Sequence, residues 1–146
     1  MKKKRLMIII IACIVLLCIV VVVFLFTRGK KPYKNLDAMQ IVSAKVMLAP
    51  PGKTVEIEDI PELVDYLNDV VIYNEDNSYT EYAGQAVVFT LTMADGTQTE
   101  IMAYNPFLVI DDVGYKTKYE PCEALNSYAN ELLNSGIANT KNNLME

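Results

Sequence analysis

Hydrophobic and polar positions divide this chain into two unlike parts. From Leu6 to Phe26 there are 21 residues without a charge, nearly all Ile, Val, Leu, Phe and Met. As a helix rising 1.5 Å per residue, such a run extends about 31 Å, close to the roughly 30 Å of a bilayer's hydrocarbon core. No polar face interrupts it, so the pattern predicts a membrane-spanning helix. The residues that follow alternate at shorter periods and predict a small domain.

Ile41 to Leu48 alternates, placing Val42, Ala44, Val46 and Leu48 on one face of a strand. Pro50-Pro51-Gly52 forces a turn, and Thr54 to Ile57 is a second, short extended piece. Asp59 begins a helix. Its carboxylate can accept from free N–H groups of the first turn, Glu62 completes a capping-box spacing, and Pro61 sits where its missing N–H costs little. Ile60, Leu63, Val64, Leu67, Val70 and Val71 form the helix's apolar stripe. Asn74 to Glu81 reads as a polar loop.

Gln85 to Met93 alternates again, with Val87, Phe89, Leu91 and Met93 facing one way and Val88, Thr90 and Thr92 the other. Asp95-Gly96 predicts a two-residue hairpin turn, returning along Thr97 to Tyr104. Thr90, Thr92, Thr97 and Thr99 are then expected on one solvated face. Asn105-Pro106 turns the chain once more. Leu108-Val109-Ile110 and Val113 to Thr117 form a further hairpin closed by Asp111-Asp112. Glu120 and Pro121 open a last helix with Cys122, Leu125, Ala129 and Leu132 on its stripe, and Gly136 is a natural C-cap.

The predicted order is β-β-α-β-β-β-β-α. Consecutive tight hairpins imply a mostly antiparallel sheet with two helices packed on one face, an α+β fold, and the other face partly exposed. The organisation reads as a basic cytoplasmic tail over 1–5, an anchor helix over 6–26, a basic linker over 27–37, an acidic α+β domain over 38–136 and a flexible tail over 137–146.

Three membrane roles compete for the N-terminal run. A cleaved signal peptide has an apolar core of about 7–15 residues and small residues at its exit; this core is longer and leaves through Thr27-Arg28-Gly29. A lipoprotein fits Ile10-Ile11-Ala12-Cys13, with Cys13 acylated, but the chain stays apolar after Cys13. An uncleaved single-pass anchor fits best. Lys2, Lys3, Lys4 and Arg5 precede the run and Arg28, Lys30, Lys31 and Lys34 follow it, so flanking charge does not orient it. A short basic tail held inside, with the domain extracytoplasmic at the cell membrane, is the expected arrangement.

Charge sharpens the division. The chain has 13 basic and 18 acidic residues, and eight of the basic ones lie at or before Lys34. The remainder holds five basic against 18 acidic residues, a net charge of −13. Basic flanks suit anionic headgroups, whereas so acidic a domain is a poor partner for nucleic acid, whose phosphates need Lys and Arg. One cysteine in the domain, Cys122, permits no intradomain disulfide.

Candidate chemistry is sparse. With no histidine, Ser-His-Asp and Cys-His catalysis and the usual zinc sites are excluded, and scattered glycines form no phosphate loop. No catalytic residue, cofactor or metal site is expected. Cys122 lies on an apolar stripe and reads as core. Asp111-Asp112 fits a tight turn better than an acid–base pair or cation site. Glu62, Asp65 and Asp69 form an acidic stripe that reads as a solvated helix face. The most suggestive surface is the run Tyr73 to Tyr82. Tyr73, Tyr79 and Tyr82 among acids and amides make a candidate partner-binding loop, because tyrosine is enriched at recognition surfaces. The plainer reading is a connector whose tyrosines pack back on the sheet.

Two runs, LAPPGKTVEIEDIPELVDYLNDVVIYNEDNSY and VFTLTMADGTQTEIMAYNPFLVIDDVGYKTKYEPCEALNSYANELL, give residues 41 to 134 the look of a known group. The chain resembles the small single-anchor cell-envelope proteins of Gram-positive, Clostridia-type bacteria, with a C-terminal α+β domain of unknown function. The resemblance implies a location and a self-contained domain, and supplies no catalytic residues. Asp-Gly is expected in that group where this chain has Asp111-Asp112, a departure that bears on turn type alone. The expected function is a non-catalytic, membrane-anchored extracytoplasmic binding or sensor module, touching the bilayer through Leu6 to Phe26 and an envelope protein through its domain. The alternative is an inhibitor or regulator of an envelope enzyme such as a membrane peptidase.

Overall fold

Helix α1, Lys2–Thr27, opens the computed structural model, which describes residues 2–50 and 52–143. Within it Lys3–Phe24 is long and apolar enough to cross a membrane, and its apolar side chains stay exposed, uncovered by the rest of the molecule. The helix takes in the basic residues from Lys2 to Arg5, which the sequence placed in a separate tail. Met1 lies outside the described residues.

Among the described residues, the domain is a seven-stranded, wholly antiparallel sheet with two α-helices. Its strands are β1 (Ile41–Ala49), β2 (Lys53–Glu56), β3 (Ile72–Glu75), β4 (Ala86–Met93), β5 (Gln98–Tyr104), β6 (Phe107–Ile110) and β7 (Val113–Thr117). The helices are α2 (Ile60–Asp69) and α3 (Tyr119–Asn143). The spatial order is β2-β1-β4-β5-β6-β7-β3. Thus α2 carries the chain from one edge strand to the other, and the fold is α+β as expected. Asp59 caps α2 by accepting from the Glu62 N–H at 3.0 Å.

The core lies between the helices and one sheet face. Leu63, Leu67, Phe89, Leu91, Ile101, Leu108 and Leu125 are all but sealed from solvent there. Each contributes about 1.5–3 kcal/mol by leaving water.

Several elements differ from the expected order. β3 is an additional strand. The helix stops at Asp69 because Val70 turns extended (φ −62°, ψ 134°), and Val71 leads into β3 rather than continuing the helical stripe. A bulge between Ile41 and Ser43 turns Ile41 inward and leaves Val42 two-thirds exposed, reversing the expected start of β1. In α3, Leu133 rather than Leu132 is the buried residue. Gly136 lies within α3, which continues to Asn143 where a flexible tail was expected. Residues 144–146 of that tail and Pro51 of the expected turn lie outside the described residues.

The β4–β5 hairpin carries the most instructive correction. In a two-residue Asp95-Gly96 loop both residues would have positive φ. Only Gly96 does, at φ +86°. The Met93 N–H donates to the Thr97 carbonyl at 2.8 Å and the Gly96 N–H to the Met93 carbonyl at 2.9 Å. The loop therefore holds three residues, Ala94 to Gly96, and shifts the register by one. Leu91 pairs with Thr99 and Phe89 with Ile101. A one-residue shift exchanges the faces of a strand, so Ile101 and Ala103 enter the core and Thr99 leaves the face it was expected to share with Thr90 and Thr92.

The segment 28–40 is more than a spacer. Lys30 and Ile72 exchange both backbone hydrogen bonds, at 2.7 and 2.8 Å, so the strand edge at β3 holds the chain just after α1. Lys31 Nζ lies 3.1 Å from Asp69. Tyr33, Leu36 and Ala38 then pack against the core.

Candidate functional site

The sheet face opposite the helices is organised by the run from Asp76 to Tyr82. Asp76 Oδ1 accepts from the Ser78 N–H at 2.9 Å and starts a short 3-10 turn, Asn77–Glu81. The Ser78 hydrogen bonds, followed by the Lys116 charge, hold the Asp76 carboxyl below its usual range. The turn is seated on β7. Gly114 donates its N–H to Asn77 Oδ1 at 2.7 Å and accepts from the Asp76 N–H at 2.8 Å. A methyl group on Gly114 would meet the Asp76 carbonyl oxygen at 2.5 Å and Tyr79 Cδ1 at 2.6 Å. Glycine is what lets the loop lie flat on the strand.

Phe107 forms a small second core on this face. It is fully buried, with the rings of Tyr82 and Tyr79 at 5.5 and 6.4 Å and Lys116 Nζ 4.1 Å from its centroid. That ammonium also lies 3.5 Å from Asp76 Oδ2, and a cation over an aromatic face is attracted by the ring quadrupole. Tyr79 donates its hydroxyl to the Asp112 carbonyl at 3.3 Å. Tyr82 stays 58% exposed despite its contact with Phe107. Between the loop and the strands lies a groove of about 260 Å3, lined among others by Pro50, Tyr79, Tyr82, Ala86, Met102 and Tyr104. Its walls are mainly aromatic and aliphatic.

Of the three expected loop tyrosines, the structure brings Tyr79 and Tyr82 together and leaves Tyr73 apart. Tyr73 stands on β3 beside Arg28 and Lys30 at a different cavity. Sequence periodicity missed Gly114, Met102 and Tyr104. The uninterrupted apolar run Phe107 to Ile110 was the available sign that both faces of β6 are covered.

The other candidates resolve into structure. Cys122 is fully buried, directs Sγ to the Phe107 carbonyl at 3.6 Å, and burial, then the Glu123 charge, pushes its thiol up to about 12. Asp111 and Asp112 are the two residues of a tight β6–β7 turn, with φ 47° and 68°. Asp111 Oδ1 also accepts from the Glu100 N–H at 2.8 Å. Glu62, Asp65 and Asp69 are exposed on α2, and Asp69 holds Lys31. Among the described residues, no three His, Cys, Asp or Glu side chains group as a metal site.

No protein-family model, curated protein or solved structure matches this chain. The reading of its function therefore stands on the groove and the helix.

Proposed function

We propose that this protein is a single-pass, membrane-anchored recognition module, of the cell-envelope kind its sequence resembles, which holds an apolar segment of a partner protein in the Tyr79–Tyr82 groove outside the membrane. The observation that carries the reading is the exposed Tyr82 ring held over Phe107 beside an aromatic groove. A tyrosine anchored at one edge supplies contact area at little entropic cost. The groove offers side-chain and backbone hydrogen-bonding groups around apolar walls, as peptide-recognition sites do. The exposed apolar helix supports an anchor, since a span of this length exchanges water for lipid.

A photo-crosslinking residue at Tyr82 in intact membranes tests this reading. The expected result is a discrete adduct, abolished by Met102→Asp in the groove and absent when the probe replaces the equally exposed Tyr119 on α3. Equal labelling from both positions would sink it.

A further inference from the structure

A second cavity, of about 500 Å3, lies where the apolar helix meets the domain. Arg28, Lys30, Tyr73, Asn74 and Glu75 line it. Its volume falls within the roughly 300–1,000 Å3 typical of small-ligand sites. Arg28 follows α1 directly and stacks over the Phe24 ring at 4.9 Å. Lys30 is fixed by its paired backbone hydrogen bonds to Ile72. Neither side chain is in an ion pair among the described residues, whereas neighbouring Lys31, Lys116 and Lys118 each have a carboxylate. Gly29 lets the two cations reach β3 together, for a methyl group there would strike Val71 and meet Tyr73 Cε1 at 2.9 Å.

The geometry points to a binding site for the phosphodiester headgroup of an anionic glycerophospholipid, formed by Arg28, Lys30, Tyr73 and Asn74. The site rests on the membrane-anchor reading, which puts these residues one step beyond the bilayer core. Guanidinium and ammonium groups donate charge-assisted hydrogen bonds to phosphate oxygens. Tyr73 and Asn74 add neutral donors. Glu75 sets the selectivity. Two cations and one carboxylate leave one net positive charge, which suits a singly charged phosphodiester and disfavours a doubly charged phosphomonoester. The Glu75 carboxylate, already accepting from Asn77 Nδ2 at 3.2 Å, can also accept from a headgroup hydroxyl. Phosphatidylglycerol has all of these features, a phosphodiester, a single negative charge and headgroup hydroxyls. The chain after Lys34, at net −13, repels anionic lipid, which leaves the basic junction and its cavity as the attractive side of the domain.

The test uses the full chain. Alkaline extraction of membranes comes first and reads the anchor alone; release into the soluble fraction would overturn the anchor and the site with it. The membrane-retained chain is then taken into detergent with equal phosphatidylglycerol, phosphatidylcholine and phosphatidate, and bound lipid is read by native mass spectrometry. Phosphatidylglycerol should be retained over both others. Arg28→Gln with Lys30→Gln should lower that retention about tenfold, the scale of one or two lost charge-assisted bonds. Lys3→Gln with Lys4→Gln, an equal charge change at the far end of the helix, should leave it intact. Equal losses in the two double variants would show diffuse attraction and overturn the site. Displacement by an equimolar amount of free glycerophosphoglycerol would show that the acyl chains add nothing, assign the cavity to a soluble ligand and overturn the lipid assignment.

Discussion

Gly114 shows how much one residue can decide at the scale of single side chains. Its missing methyl seats Asn77 and Tyr79 on β7. Gly114→Ala should destabilise the domain by about 1–3 kcal/mol, the cost of overpacking, and should raise amide exchange over 76–82 before the rest of the domain. Uniform exchange would contradict the seat. The Asp111-Asp112 turn predicts a contrast between neighbours. Asp112→Gly relieves a left-handed conformation and should raise stability by about 0.5–1 kcal/mol. Asp111→Gly should show no such gain, because it loses the bond to the Glu100 N–H; urea unfolding midpoints separate the two. Cys122 makes the pH prediction. The folded thiol ionises near 12 and its ordinary value is 9.0. The unfolded state therefore releases its proton first, and stability is complete below about pH 9 and declines as pH rises toward 12. Tyr128, raised from 10.0 to about 12 by burial and then by the charges of Glu62 and Asp59, acts in the same direction above pH 10. Cys122→Ala should move the onset of alkaline destabilisation upward by about one pH unit. Cys122 and Asp59 were legible in the sequence because their roles follow from spacing along one helix. Gly114 was not, since its partner Asn77 is 37 positions away.

Elements were legible where a local period dominates. The stripe of α2, the alternation of β4 and the β6–β7 hairpin all follow from side-chain spacing alone. β3 escaped because it is four residues long, with Ile72 its one buried residue, and because Val70 and Val71 continue the helical stripe by coincidence. Its pairing with β7 and with Lys30 makes it a strand. The faces of β5 escaped because they depend on one loop residue. Deleting Thr97 while keeping the three-residue loop would set Gln98 opposite Met93 and place Met102 and Tyr104, instead of Ile101 and Ala103, toward the helices. The expected outcome is loss of the sharp, cooperative thermal transition that a uniquely packed core gives. A variant that still melts cooperatively with unchanged β5 protection would contradict the register argument.

At the scale of the whole molecule, an apolar helix and an acidic domain meet through a short, ordered junction. The Lys30–Ile72 bridge, the Lys31–Asp69 ion pair and the inward packing of Tyr33 and Leu36 tie the emerging chain to the edge of the sheet. Such a junction holds the domain near the end of the apolar helix rather than on a loose tether. The helix was the most legible feature of all, since its composition needs no tertiary context. The groove was the least, since it is assembled from residues on three strands and two loops. Both readings meet in one proposal, that the helix anchors the chain and leaves the domain outside the cytoplasmic membrane. Reporters fused after Glu146 test it most directly. An enzyme active only outside the membrane should be active there, and a fluorophore that matures only in the cytoplasm should stay dark. A dark enzyme reporter with a bright cytoplasmic one would contradict the account.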